Sequence, residues 1–350
     1  MKRKKTLAIL IAALMLVSFG CAQKAQTPVP QTATEAPKQE TVVQTVPTEV
    51  PASTDAPAAT DEPAPTGSGF TVTDMAGREI TIDKPVEKAV ALTAADCEII
   101  FALGAEEALV GRGAYCDYPP EVTDIPSVES GFETNIEQII DLEPDVLFLG
   151  TMAQTQEQVE QLEKAGIKVV VSDAQTIEGT YECIRVIGEV MGKQPEADKI
   201  ISDMQATFAE IEANKLDGTK SVYFETSPLQ WGLYSAGKGT FMDEIAQMMG
   251  LKNIFGDVEG WPQISEEQVI ERNPDYIVTV TMYNGEGPTP DEEIANRAGW
   301  QDITAVKNLD ILFYPDNEFA RPGPRLAEGA QMLFDFVVES LTAQELAPAA

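Results

Sequence analysis

One pattern, a short amphipathic segment followed by a proline–aspartate pair and an apolar run, occurs twice in the chain. The copies cover residues 135–148 and 265–278, and both read Glu-Gln-(Ile/Val)-Ile-acidic-x-x-Pro-Asp before the apolar run. Asn135 and Ser265 are favourable N-cap residues with a glutamine three positions later, which predicts a capping box at the start of each helix. The proline ends the helix, and the apolar run is typical of a strand in a covered parallel sheet. The repeat therefore predicts two related αβ units in two lobes.

Strand-like and helix-like segments alternate through the rest of the chain from Gly69 onward. Residues 71–82 alternate apolar and polar positions around a glycine turn, which predicts a β-hairpin. The later apolar runs are followed by amphipathic helices and indicate parallel sheets with helices on both faces. The N-terminal α/β lobe is predicted over residues 69–176, and the C-terminal α/β lobe over residues 216–350.

A helical segment over residues 177–215 separates the two predicted lobes. Its second helix begins at Pro195, which suits a first helical turn, and continues to about Lys215. About twenty residues give a helix of about 30 Å, close to the diameter of a small domain. The predicted fold class is therefore α/β, with two Rossmann-like lobes with parallel sheets, bridged by one long α-helix.

The N-terminus has the features of an export signal. Four basic residues precede an apolar run from Thr6 to Phe19, which predicts a signal peptide over residues 1–20. The glycine before Cys21 resembles a bacterial lipobox, in which the cysteine is lipidated; an ordinary signal peptide cut elsewhere is the alternative. Residues 21–68 lack aromatic residues and are rich in proline and threonine, so a disordered tether is predicted. An exported protein, lipid-anchored to the membrane and working on the extracytoplasmic side, is expected.

Charge and residue types exclude several classes of function. The chain has 57 acidic and 24 basic residues and a net charge of −33, which argues against binding nucleic acid. It has no histidine, which removes Ser–His–Asp and Cys–His systems, histidine-based metal sites and histidine-ligated haem. Cys97, Cys116 and Cys183 have no metal-binding spacing; they allow one disulfide, or serve as small apolar core residues. No catalytic residue, metal site or cofactor is predicted, so the chain is interpreted as a non-enzyme.

Residues 232–239 come close to the pattern of a phosphate-binding loop. Gly239 stands where a serine or threonine would hold Mg²⁺, and Thr240 comes one position late. The segment is therefore interpreted as a turn between a strand and a helix.

Aromatic residues and two arginines in predicted loops indicate a binding cleft. In an open α/β sheet, the loops at the C-terminal ends of the strands line the ligand crevice. Flat aromatic side chains with one or two arginines suit a large, partly apolar ligand with polar edges. The alternative is that Trp261 and Phe319 merely cover the lobe surfaces. The candidate ligand-binding residues are Tyr115, Tyr118, Trp231, Trp261, Tyr283, Phe319 and Arg321, with Arg325 close by in sequence.

Six short segments, found in this order along the chain, together resemble a known protein family. They are Phe-Ala-Leu-Gly-Ala at 101–105, Tyr-Cys-Asp-Tyr-Pro-Pro at 115–120, Asn-Ile-Glu at 135–137, Gly-Lys-Gly at 237–239, Trp-Pro-Gln-Ile-Ser at 261–265 and Arg-Pro-Gly-Pro-Arg at 321–325. Together they resemble the substrate-binding proteins of ABC importers for vitamin B12, haem and ferric siderophores, with vitamin B12-binding proteins closest. The resemblance covers the chain from Gly69 to the C-terminal helix. It implies a lipid-anchored monomer that works with an ABC permease and its ATPase subunits.

In that family, each lobe carries an exposed glutamate that docks on arginines of the membrane permease. The matching residues in this chain are Glu137 and Glu267, one in each copy of the repeated pattern. The alternative is that a glutamate in a first helical turn only complements the helix dipole, an effect of about 0.3–1 kcal/mol.

The resemblance leaves the ligand open between cobalamin, a ferric siderophore and haem. The setting of Trp261 and the loop at 115–120 resemble vitamin B12 binders, and related loops occur in iron-chelate binders. The absence of histidine weakens a haem assignment, although a tyrosine can ligate haem iron. The predicted function is capture of cobalamin (a corrinoid) or a ferric siderophore between the lobes, with haem as the alternative. A surface adhesin and a carboxylate-based surface hydrolase are the alternatives from other classes.

Overall fold

The structure of the protein is a computed structural model that describes residues 69–130, 134–150, 156–283 and 285–346. The predicted signal peptide, Cys21 and the tether lie outside the described residues. Within them, the chain forms an α/β lobe, then two consecutive helices, then a second α/β lobe. Of the helices in this described part, none is both long and apolar enough to cross a membrane.

The N-terminal lobe contains a hairpin and a parallel sheet. Its elements are β1 (Phe70–Thr73), β2 (Glu79–Ile82), β3 (Ala89–Ala91), α1 (Ala94–Ala102), β4 (Leu109–Gly113), β5 (Ser127–Val128), α2 (Ile136–Asp141), β6 (Val146–Leu149), α3 (Gln156–Lys164) and β7 (Lys168–Val171). Strands β1 and β2 pair antiparallel, with Phe70 opposite Ile82, so the predicted hairpin is confirmed. The described strands of the sheet follow the order β5-β4-β3-β6-β7, and each neighbouring pair is parallel.

Two helices lead from the first lobe to the second, α4 (Ile177–Val190) and α5 (Gln194–Ala213). They pack closely because Gly188 has no side chain: a Cβ there would lie 2.6 Å from the Cβ of Ala197. The apolar stripe of α5, which includes Ile201 and Phe208, is buried. This helix also contacts the last helix of the chain, so it belongs to the cores of both lobes.

The C-terminal lobe repeats the α/β arrangement. Its elements are β8 (Ser221–Glu225), α6 (Phe241–Met249), β9 (Lys252–Asn253), α7 (Glu266–Arg272), β10 (Tyr276–Thr279), α8 (Pro290–Ala295), α9 (Thr304–Asn308), β11 (Ile311–Phe313) and α10 (Leu326–Leu346). The described strands follow the order β11-β10-β8-β9 and are parallel. Strands β6, β8 and β10 are almost wholly buried, as expected for sheets covered on both faces. The predicted fold class, two α/β lobes with parallel sheets, is confirmed.

The two repeated segments fold as α2–β6 and α7–β10, but their helices begin differently. Ser265 accepts a hydrogen bond from the Gln268 N–H, and the Gln268 side chain accepts one from the Ser265 N–H, a complete capping box. Asn135 accepts from the Gln138 N–H, but the Gln138 side chain accepts instead from the N–H of Glu129. The prediction of a capping box in the first copy is therefore wrong, because a neighbouring backbone donor takes the glutamine.

The residues before the two prolines end both helices in the same way. Glu143 and Asn273 have positive φ angles of 50° and 43°, in the left-handed region. As predicted, proline keeps the preceding residue out of the right-handed helical region. The cost of a left-handed glutamate is tolerated at Glu143 because the chain must turn sharply from α2 into β6.

The aspartate of each Pro-Asp pair anchors the neighbouring strand, a role that the sequence pattern did not reveal. Asp145 Oδ2 accepts hydrogen bonds from the N–H groups of Glu87 and Lys88, directly before β3, at 2.9 and 3.0 Å. Asp275 Oδ2 accepts from the N–H and hydroxyl of Ser221, the first residue of β8, at 2.9 and 2.8 Å. The repeated aspartate thus fixes the start of the central strand in both lobes.

Replacing either anchoring aspartate is expected to destabilise its lobe. Asp145→Ala and Asp275→Ala each leave backbone donors without an acceptor, so we expect a loss of about 1–3 kcal/mol in the free energy of unfolding. Asp275→Asn keeps one oxygen acceptor and should lose less than Asp275→Ala. Urea denaturation followed by circular dichroism measures the loss. Alanine variants as stable as the wild type would show that these bonds do not anchor the strands.

Candidate ligand-binding cleft

Large aromatic side chains lie in loops that follow the C-terminal ends of strands in both lobes. Tyr115 and Tyr118 follow β4 in the N-terminal lobe, while Trp231 follows β8 and Tyr283 follows β10 in the C-terminal lobe. Trp261 lies in the loop after β9. All five are exposed, and Tyr115 and Trp231 expose 61% and 71% of their surface. Aromatic side chains this exposed are unusual on a surface without a partner, so these loops form a candidate ligand-binding cleft.

Three hydrogen bonds join the lobes beside these loops. The indole Nε1 of Trp261 donates to Gln175 Oε1 at 2.7 Å. The N–H of Phe241 donates to the carbonyl of Gln175, also at 2.7 Å. The N–H of Ile177 donates to Glu244 Oε2 at 2.7 Å. Trp261 is therefore held in place by the other lobe, and its ring also packs on Phe241 with centroids 5.5 Å apart.

A cluster of charged residues joins the lobes on the side of residues 115–120, which we call the tyrosine loop. The carboxylate of Glu98 in α1 accepts a hydrogen bond from Nη1 of Arg321 at 2.9 Å. It also accepts hydrogen bonds from Nε and Nη2 of Arg325, at 2.9 and 2.8 Å. Asp117 Oδ1 lies 2.7 Å from Nη1 of Arg321. The guanidinium of Arg325 lies 3.6 Å above the ring of Tyr118. We call these residues, Glu98, Asp117, Tyr118, Arg321 and Arg325, the interlobe cluster.

The interlobe cluster keeps its arginines charged although they are largely buried. Burial alone would lower the pKa of Arg321, but its hydrogen bonds to Asp117 and Glu98 hold that pKa above the usual value. Burial opposes the charge of Arg325 in the same way, and its bonds to Glu98 raise its pKa. Both guanidinium groups therefore form ion pairs within the protein, with Glu98 and Asp117.

Phe319 does not line the cleft, so the prediction for this residue is wrong. Its side chain is completely buried and stacks between Tyr314 and Phe224, with ring centroids 5.1 and 5.9 Å away. The loop that carries Arg321 has to pass over the core of the C-terminal lobe, and Phe319 fixes it there. The alternative considered from the sequence, that Phe319 covers the surface of its lobe, is not observed either, because the ring lies in the core.

A pocket of about 430 Å³ opens in the C-terminal lobe beside the aromatic loops. Tyr283, Met282 and Leu229 provide apolar surface, and Glu225 and Glu286 add carboxylates. It lies at the C-terminal ends of β8 and β10, where a parallel sheet commonly presents its ligand site. Its buried wall is rigid because Arg297 donates to both oxygens of Glu225, at 2.8 and 2.9 Å.

The segment at 232–239, which resembles a phosphate-binding loop, packs closely against the backbone around Val258 to Gly260. The N–H of Gly237 donates to the carbonyl of Gly260 at 2.7 Å, and a Cβ on Gly237 would lie 2.1 Å from the carbonyl oxygen of Val258. Glycine is required because of this close approach. Lys238 pairs with Glu259 at 2.9 Å. The interpretation of the segment as a turn rather than a nucleotide site agrees with these contacts.

Glu137 and Glu267 lie on different lobes, each at the start of a helix. Both are exposed and occupy the first turns of α2 and α7. Because each helix leads into a parallel strand, its first turn lies at the edge of the sheet where the cleft loops emerge. The backbone N–H and the Ser265 hydroxyl near the carboxylate of Glu267 lower its pKa, so it stays ionised.

No cluster of side chains suited to metal binding is found in the described residues. These residues contain no group of three or more acidic, cysteine or histidine side chains placed to hold a metal ion. Cys97, Cys116 and Cys183 are buried free thiols. Burial raises the pKa of the Cys183 thiol well above its usual value, which keeps it protonated.

Asp96 is a buried acid at the start of α1, next to Glu98. Its side chain is fully buried, and burial raises its pKa from an ordinary 3.8 to about 7. The Cys183 thiol lies 3.9 Å from Oδ1. Near neutral pH, both the protonated and the ionised form of this carboxyl group are therefore populated. Burial favours the protonated form because it carries no charge.

The raised pKa of Asp96 predicts that the wild type loses stability as pH rises. Between about pH 4 and 7, the unfolded chain releases the proton and the folded protein retains it, so rising pH favours unfolding. The contribution is at most about 4 kcal/mol. Asp96→Asn keeps the shape of the side chain but does not titrate. The free energy of unfolding of the variant, measured by urea denaturation, should therefore exceed that of the wild type by a margin that grows from pH 4.5 to pH 8. An advantage independent of pH would contradict the assignment.

Two α/β lobes joined through consecutive helices, with exposed aromatics and an ion cluster between them, define a bilobed ligand-binding protein. The family model described as "Periplasmic binding protein" matches residues 90–318 of this chain. The chain belongs to this family. Its members are binding proteins that carry a transported ligand and no cofactor. Substrate-binding proteins of ABC importers work with a permease and an ATPase.

Three similar proteins span most of the chain. An uncharacterized ABC transporter substrate-binding lipoprotein of Bacillus subtilis is 32% identical over 274 residues, 76% of this chain and 85% of the relative. A vitamin B12-binding protein of Salmonella typhimurium is 32% identical over 257 residues, 70% of this chain and 88% of the relative. The crystal structure of an ABC-type Fe³⁺-hydroxamate transport system protein from Saccharomonospora viridis is 26% identical, with a TM-score of 0.64; the match covers 77% of this chain and 98% of that chain.

Glu98, Asp117 and Gln175 are residues of the site that the sequence analysis did not select. Asp117 is part of the tyrosine loop already identified, and Glu98 lies in the mostly apolar helix α1, which also contains Asp96. An acidic residue in a buried helix is a usable signal, because its charge needs a partner. Gln175 gives no such signal, since its role depends on where the second lobe lies.

Proposed function

We propose that this protein is a substrate-binding lipoprotein of an ABC importer that captures a corrinoid or a ferric siderophore between its two lobes. It delivers the ligand to the membrane permease and catalyses no reaction. The observation that carries the proposal is the set of exposed aromatic side chains on loops at the strand ends of both lobes. Tyr115 and Tyr118 belong to one lobe, and Trp231 and Trp261 to the other, all exposed on loops at the strand ends.

The shape and chemistry of the cleft suit a large, flat or globular metal chelate. Exposed rings on both sides offer stacking surface, and the Tyr283 pocket in the C-terminal lobe gives room for a side group. The relatives support the same classes of ligand: one similar protein is named for vitamin B12 and another for Fe³⁺-hydroxamate transport. Haem is the alternative ligand, with the exposed phenol of Tyr115 as the group able to ligate its iron.

Export and anchoring complete the proposal. Residues 1–20 act as a signal peptide, Cys21 is lipidated, and residues 21–68 tether the two lobes to the outer face of the membrane. The protein works there as a monomer beside its permease. The Bacillus subtilis relative is described as a lipoprotein, which supports this arrangement.

Binding of the ligand class is tested with a panel of cyanocobalamin, a ferric hydroxamate and haem. A ligand at about a hundred times its Kd should stabilise the folded protein by about 2.7 kcal/mol, measured as a shift in Tm. Cyanocobalamin or the hydroxamate is also expected to quench tryptophan fluorescence, because Trp231 and Trp261 are exposed and Trp300 is buried.

The variant Trp231→Phe/Trp261→Phe retains Trp300 and is the control for this quenching. It should bind with a smaller loss of fluorescence, since its remaining indole lies behind the pocket wall formed by Glu225 and Arg297 rather than on the cleft surface. If no member of the panel shifts Tm or quenches the wild type, the proposed function is wrong. A response to haem alone would favour the alternative ligand.

Docking is tested by replacing the two exposed glutamates. Glu137→Ala/Glu267→Ala should bind the ligand with unchanged Kd, because neither residue is among the proposed ligand contacts, and should reduce ligand uptake by cells to background. The matched control is Asp141→Ala/Glu271→Ala, which makes the same charge change on the same two helices at their other ends. Uptake that survives in the first variant, or is lost equally in both, would contradict the docking assignment.

A further inference from the structure

The charges around the cleft cancel within the protein. In the interlobe cluster, two guanidinium groups meet two carboxylates: Glu98 holds Arg321 and Arg325, and Asp117 holds Arg321. On the C-terminal lobe, Lys238 pairs with Glu259. These three positive charges are therefore matched by carboxylates of the protein before any ligand arrives.

The remaining cationic groups near these loops are also directed into the protein. Arg297 is buried and binds Glu225 and Glu293, behind the Tyr283 pocket. Arg112 donates from Nε to the carbonyl of Ile125, and from Nη1 to the carbonyls of Gly113 and Cys116, so it supports the tyrosine loop.

The described residues that line the Tyr283 pocket include carboxylates and no cationic side chain. Glu225 and Glu293, both paired with Arg297, line it together with Glu286. The whole chain carries a net charge of −33, which repels anions at a distance. Among the described residues near these loops, a carboxylate on a ligand would meet no cation that lacks a partner, so the water it loses on entering the cleft would not be replaced and its desolvation would be costly.

We propose that the cleft selects metal chelates without net negative charge, and that Glu98 and Asp117 impose this selectivity by occupying Arg321 and Arg325. Corrinoids with intact amide side chains and neutral or cationic hydroxamate chelates satisfy it. Haem, with its two carboxylates, and triply negative catecholate chelates do not. The inference rests on the proposed function, because it concerns the ligand of the same cleft.

Asp117 is the position at which this selectivity can be changed with least damage. Its side chain is 54% exposed, whereas that of Glu98 is 3% exposed and makes three bonds to the arginines. Asp117→Asn removes the exposed counter-charge and leaves Glu98 to hold the lobes together. The matched control is Glu121→Gln, which makes the same change of charge at an exposed residue close by in the chain.

The experiment compares probes that differ only in one carboxylate. The first pair is cyanocobalamin and its monocarboxylic acid, in which one side-chain amide is hydrolysed. The second is ferrioxamine B acylated with an acetyl or a succinyl group. For the pair that binds, we expect calorimetry to show that the wild type binds the member without the added carboxylate at least about tenfold more tightly than the member that carries it. Which of the two pairs binds shows whether the ligand is a corrinoid or a hydroxamate.

Asp117→Asn should reduce this preference several-fold by tightening binding of the carboxylate probe, and Glu121→Gln should leave the preference unchanged. Equal or tighter binding of the carboxylate probe by the wild type would overturn the inference and leave the proposed function intact. Equal effects of the two variants would also overturn it. If neither pair binds, the proposed function itself fails and the inference fails with it.

Discussion

The buried carboxylate of Glu98 is the point at which the two lobes are tied together. It lies on α1 of the N-terminal lobe and binds two arginines from the loop between β11 and α10 of the C-terminal lobe. Because Glu98 and the arginines are largely buried, removing Glu98 would leave Arg325 without its carboxylate partner, at a cost of about 3–5 kcal/mol. The position of that loop relative to α1 is therefore strongly determined, and Arg325 in turn holds the ring of Tyr118.

The rest of the cleft depends on this constraint. The hydrogen bond between Trp261 and Gln175 has the same effect for the opposite wall, and helices α4 and α5 connect the lobes through a close contact at Gly188. Aromatic walls that are fixed before binding reduce the ordering cost that a ligand has to meet. The charges that hold the walls are used within the protein, so the ligand is recognised by shape and stacking rather than by ion pairing.

The sequence pattern predicted the architecture well because local signals determine it. Apolar runs after Pro144 and Pro274 are strands in parallel sheets, and the left-handed residues before these prolines end both helices. The site was predicted only in part. The exposed aromatics were found because loops at strand ends are recognisable, whereas the burial of Phe319 depends on the packing of Tyr314 and Phe224 from distant segments.

The ion pairing of Glu98 with Arg321 spans 223 positions along the chain, and no local pattern reports a contact at that distance. A crystal structure with the bound ligand would show whether a chelate lies between the aromatic walls above an intact interlobe cluster. We expect the chelate between the tyrosine loop and Trp231 and Trp261, with Arg321 and Arg325 still bound to Glu98. A ligand outside the cleft, or arginines turned from Glu98 to carboxylates of the ligand, would contradict this expectation.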